Sequence, residues 1–161
     1  MRTLAAFAVL LLVTACQAPP AEMTEAEIAQ IEAEVMAFEE SKAAAFSTLD
    51  PDRLMEFWAD GDISTLNFGE DRIIGQEGLR AFYENLLPSW AETQMSWLPG
   101  CTIDVLSPEL ALFQGTVRQP ITNQEGVSYV EQVNFTELLR NIDGEWKIQR
   151  SHASGRVVRE S

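Results

Sequence analysis

An α+β domain is predicted by a change of period along the chain. Up to Pro88 the apolar residues recur mostly at helical spacings of three and four. From Thr93 onward they alternate with polar ones, as strands do. Turn signals at Ser107-Pro108, Asn123-Gln-Glu-Gly126 and Asp143-Gly144 divide that second part into four segments. Helices followed by an antiparallel meander give the α+β class. At 161 residues, 46% of them hydrophobic, the chain suits one domain with a substantial core.

Residues 1–15 read as a targeting peptide: Arg2 is followed by an apolar run from Leu4 to Val13, too short to span a bilayer. The run ends Leu12-Val-Thr-Ala-Cys16, which resembles the lipobox of bacterial lipoproteins. That resemblance implies acylation of Cys16 (palmitate or a similar chain) and a mature protein that begins there. Residues 16–23, with Gln17-Ala-Pro-Pro-Ala21, form a proline-stiffened tether. Gln17 in the second mature position favours the outer membrane, facing the periplasm, over the inner one. With Cys16 lipidated, Cys101 has no partner in the chain, and no cation flanks it in sequence, so a buried thiol is favoured over a reactive one.

The net charge is −14, and loss of Arg2 makes it one unit more negative. Phosphates repel such a chain, which argues against nucleic acid as a partner and leaves the acyl chain as the membrane attachment. Glu22, Glu25, Glu27, Glu32, Glu34, Glu39 and Glu40 are read as a solvated face in or beside the first helix.

Thr24-Glu-Ala-Glu27 is a capping box with Met23 and Ile28 as its hydrophobic staple. It opens a long amphipathic helix marked by Ile28, Ile31, Val35, Phe38, Ala45, Phe46 and Leu49. Asp50-Pro51 starts a short second helix that ends at Asp60-Gly61. Residues 62–68 and 72–74 form a hairpin, and Gly75 opens a third helix closed by Pro88. Strands are expected at 93–106, 110–119, 127–140 and 145–157, the first bent at Pro99-Gly100. On the last strand, strict alternation puts Trp146, Ile148, Arg150 and His152 on one face, apolar at one end and charged at the other.

The order of elements, the Asp60-Gly61 exit, Ile74-Gly-Gln-Glu-Gly78 before the third helix, and Asp143-Gly-Glu-Trp-Lys-Ile148 followed by His152 and Ser154 carry a family resemblance. Over residues 24–158 the chain resembles the SnoaL-like branch of the nuclear transport factor 2-like superfamily, a cystatin-like architecture that also houses ketosteroid isomerases. The resemblance implies a cone: a curled antiparallel or mixed sheet wrapped around N-terminal helices, with a pocket between them. It also implies frequent pairing through the open sheet face, hence a homodimer.

No zinc spacing, phosphate loop, dinucleotide fingerprint or serine elbow occurs, so no metal and no cofactor are expected. The expected pocket lining is Trp58, Tyr83, Gln114, Thr116, Arg118, Gln132, Asn134, Arg150 and His152, aromatic groups mixed with convergent polar ones. His152 is the natural acid or base, oriented or replaced by Asp60 or Asp62, with Tyr83 beside it. Arg118 and Arg150 suit either a carboxylate ligand or internal ion pairs. On the third long strand Gln132 and Asn134 are read as facing inward and Glu131 outward, which leaves the acidic proton acceptor of the family's isomerases and cyclases unmatched. The leading expectation is a lipid-anchored domain that binds a small, partly apolar molecule or a partner. Its alternatives are a cofactor-free isomerase, dehydratase or hydrolase using His152 with an aspartate, and a structural dimerisation module.

Overall fold

The structure is a computed structural model, described here for residues 22–61 and 64–158. It contains three α-helices and eight strands among those residues: α1 (Glu25–Phe46), α2 (Pro51–Met55), β1 (Thr65–Phe68), β2 (Asp71–Ile74), α3 (Gly75–Leu86), β3 (Trp90–Thr93), β4 (Ser96–Trp97), β5 (Thr102–Ser107), β6 (Leu110–Asn123), β7 (Ser128–Ile142) and β8 (Glu145–Val158). The strands form one mixed sheet in the order β2-β1-β8-β7-β6-β3, with β4 and β5 also paired to β6. β1 runs parallel to β8, and the other pairs are antiparallel. The α+β cone predicted from the sequence is therefore the fold found.

Most local signals in the sequence act as expected, although α2 stops at Met55, short of the Asp60-Gly61 exit. Thr24 Oγ1 accepts from the Glu27 amide at 3.3 Å, and the Thr24 amide donates to Glu27 Oε2 at 2.7 Å, closing the capping box. Asp50 caps α2 by accepting from the Asp52 amide at 2.9 Å, with Pro51 at the first helical position. Asp143 (φ 53°) and Gly144 (φ 92°) both take the left-handed conformation that a two-residue hairpin needs.

Two expectations about the strands change. The segment read as one bent strand at 93–106 is three short ones, β3, β4 and β5, interrupted around Pro99 and Gly100, where proline lacks an amide and Gly100 adopts φ 103°. β6 runs on past Gln119 to Asn123, with Pro120 inside it paired to Val130.

The third change decides which side chains reach the pocket. On β8, Ile148 pairs with Leu139 and Arg150 with Leu138, so Gln149 is an extra residue without a partner. A bulge of this kind restarts the alternation one residue later. Trp146 and Ile148 are buried as predicted, but beyond the bulge it is Ser151 and Ala153 that are buried, while Arg150 and His152 are exposed.

On β6 the buried residues are Ala111, Phe113, Val117, Gln119 and Ile121, and on β7 Val133, Glu137 and Leu139 continue the inner face. Gln114 and Asn134 are exposed, while Thr116, Arg118 and Gln132 are half-buried on the other face. The lining expected there is one residue out of phase. Solvated polar side chains cost nothing on the outer face, and the apolar members of the alternation turn in to the core.

Candidate functional site

The cavity lies between the curled sheet and the helices, with about 50 Å³ open to the centre of a water molecule, several times the ~10–15 Å³ that one water needs. Phe46, Leu66, Phe82, Trp90, Phe135 and Ile148 contribute to its apolar wall. Of the residues expected from the sequence, Trp58 and Tyr83 do line it, joined by a hydrogen bond from Trp58 Nε1 to the Tyr83 hydroxyl at 3.1 Å. Burial pushes the Tyr83 phenol up to about 12, so it stays a hydroxyl. Its own proton has no protein acceptor among the described residues, which leaves it available to a ligand.

At the floor sits a cluster that the sequence reading passed over. Lys42 of α1 is 3% exposed, Glu39 one turn before it 0%, and Glu137 of β7 1%. Lys42 Nζ donates to Glu137 Oε2, and Ser151 Oγ donates to Glu137 Oε1 at 2.8 Å. The ammonium also lies 2.6 Å from Glu39 Oε2, near enough for an ion pair but poorly aligned for a hydrogen bond, so neither Glu39 oxygen has a hydrogen-bond partner. The rings of Phe135 and Trp97 stand 5.1 Å and 5.5 Å from Nζ.

The charges in this cluster act on one another. Burial raises the Glu39 carboxyl well above the usual range, and repulsion from Glu137 adds to the rise against the pull of Lys42, so Glu39 favours its neutral form. Burial alone would lower Lys42, but Glu137 and Glu39 outweigh it and hold the ammonium above the ordinary lysine value. The floor is thus an ammonium set between two buried carboxyl groups, one of which, Glu39, is pushed toward its neutral form. Two positions could have revealed it: Lys42 fills the gap between Phe38 and Ala45 in the apolar stripe of α1, and Glu137 interrupts the alternation of Val133, Phe135 and Leu139. The reading of Glu39 as part of a solvated acidic face is overturned by its burial.

Higher in the cavity, Glu131 lines the wall together with Gln119. It faces inward, contrary to the sequence reading, because β7 alternates Glu131, Val133, Phe135 and Glu137 on the cavity side. Burial raises its carboxyl.

His152 does not line this cavity. It is exposed, paired across the sheet with Thr136 and Asn67. Arg150 donates to Thr65 Oγ1 at 3.0 Å, and Asn134 accepts from Thr116 at 2.7 Å on the outer face. Gln114 borders a shallow outer depression with Thr116 and Asn134, and Arg118 borders a separate open groove. Gln132 pairs with Arg118 across the strands. Asp62 and Cys16 lie outside the described residues. Cys101 is half-buried, and burial raises its thiol, in keeping with an inert cysteine. Among the described residues no cluster of metal-binding side chains occurs, and no helix is long and apolar enough to cross a membrane.

The family model of the SnoaL-like domain matches residues 35–159. The chain belongs to the SnoaL-like domain family. Two solved structures illustrate the likeness. The hexachlorocyclohexane dehydrochlorinase LinA type 2 is 17% identical with a TM-score of 0.69, over 84% of this chain and 94% of its own. A nuclear transport factor 2-like superfamily protein from Salmonella enterica serovar Typhimurium is 11% identical with a TM-score of 0.73, over 83% and 96%. At these identities the likeness is one of fold. No curated protein matches the chain in sequence.

Proposed function

We propose that this SnoaL-like domain is a lipid-anchored envelope protein that holds a small, largely apolar molecule inside its cone. The observation that carries the binding reading is an apolar cavity lined by the buried Lys42, Glu137 and Ser151 and by the Tyr83 hydroxyl, which accepts from Trp58 and keeps its own proton for a ligand. Small-molecule sites combine apolar walls with a few convergent polar groups in this way. Mass spectrometry of molecules released by denaturing the purified protein tests it. A small, mainly apolar compound at near-stoichiometric ratio is expected, and a protein that retains nothing and binds no aromatic probe would overturn it.

The anchor rests on Cys16 and its preceding small residues. Two or three acyl chains, at ~0.8 kcal/mol per buried CH₂, make a lasting attachment. Cys16→Ser should leave the membrane fraction, and its persistence there would contradict the anchor.

A second reading, cofactor-free proton transfer, is favoured by Glu131. A carboxylate raised by burial beside an apolar cavity has the character of a general acid or base. The dehydrochlorinase in the same fold makes elimination the first reaction class to assay.

A further inference from the structure

We propose that the cavity selects an organic cation, an aryl- or alkylammonium group, over a neutral or anionic molecule of the same shape. This deepens the small-molecule reading above and rests on it.

The charge balance of the lining comes first. Lys42 is the one cation among the described residues that line the cavity, and it is held between Glu137 and Glu39. No positive charge is left over to receive an anion. Glu131 is placed differently: its carboxylate is half-buried, lines the same cavity, and has no hydrogen bond or ion pair among the described residues. A partly desolvated carboxylate without a counter-ion is unfavourable, and a ligand ammonium is the group that would satisfy it.

The wall supplies the second argument. Trp58, Phe68, Phe82, Tyr83, Trp90 and Phe135 surround the space with aromatic rings. Ring faces carry the negative lobe of the aromatic quadrupole and attract cations, most strongly where water is excluded. An alkylated ammonium has apolar methyl groups for these rings and a positive charge for Glu131. A carboxylate ligand would meet Glu131 head-on, inside a chain whose net charge is already −14.

Three probes of nearly one size separate the cases when titrated calorimetrically into the intact protein: phenyltrimethylammonium, its uncharged carbon isostere tert-butylbenzene, and benzoate. The cation should bind roughly tenfold or more tightly than the isostere, and benzoate most weakly. Glu131→Gln keeps the side-chain shape, and should erase the advantage of the cation while leaving the affinity for tert-butylbenzene unchanged. Equal affinities for cation and isostere in the native protein, or tighter binding of benzoate, would overturn the proposal and leave the small-molecule reading intact. A cation preference that survives in Glu131→Gln would overturn the role given to Glu131. If none of the three binds, the proposal falls, and the small-molecule reading falls with it where the purified protein also retains nothing.

Discussion

The two faces of the sheet carry similar polar residues under opposite conditions. On the outer face Thr116, Asn134 and His152 stand half-exposed or exposed to water, where a polar side chain needs no partner in the protein. On the inner face and the helix above it, Glu39, Lys42, Glu137 and Ser151 are almost wholly removed from water. Taking a charge out of water costs several kcal/mol, offset only by good pairing. Polar residues on the outer face therefore say little about function, whereas those inside the cone are retained against a substantial cost. That asymmetry directs attention to the floor of the cavity.

The contrast can be broken most severely at Lys42. Lys42→Met leaves Glu137 buried without its cation and should destabilise the domain by about 3–5 kcal/mol in urea unfolding. Replacing Glu39, Lys42 and Glu137 together by apolar residues of similar volume should recover most of that loss, because no stranded charge remains. A Lys42→Met protein as stable as the native one would mean that the cluster is not closed to water.

Glu39 sharpens the comparison through pH. Its carboxyl is raised in the folded state, so its contribution to stability is fully present below the unfolded value near 4.5 and is lost as pH rises through the folded value. Glu39→Gln removes that titration. The variant should gain stability relative to the native protein as pH rises from acid toward neutral, and parallel stability–pH curves would contradict the assignment. At the other extreme, His152→Ala on the exposed face should change stability by no more than ~0.5 kcal/mol.

Most of the fold was legible because it is specified locally. The capping box at Thr24, the Asp50-Pro51 start and the Asp143-Gly144 turn each fix a boundary through a few neighbouring atoms. The site was less legible because it depends on phase. Gln149 adds one residue to β8 without marking itself by glycine or proline, and every side chain beyond it changes face. The strand alignment expected from the sequence turns Gln114, Thr116, Gln132 and Asn134 inward, whereas the structure turns Phe113, Val117, Val133 and Phe135 to the core. Glu39 is hidden among the other acids of α1, although its place four residues after Val35 and seven before Phe46 puts it on the buried stripe of the helix, away from Glu40.

The most direct test of the inner face as the binding face uses two neighbours on β8. Ala153 lines the cavity and His152 faces out. Para-cresol, a ring with a single hydroxyl, would be titrated calorimetrically into the native protein, Ala153→Leu and His152→Ala, with each variant first shown to unfold cooperatively. The expected result is binding to the native protein and to His152→Ala with equal affinity, and none to Ala153→Leu, whose added carbons fill the cavity. Binding that survives in Ala153→Leu and disappears in His152→Ala would contradict the account.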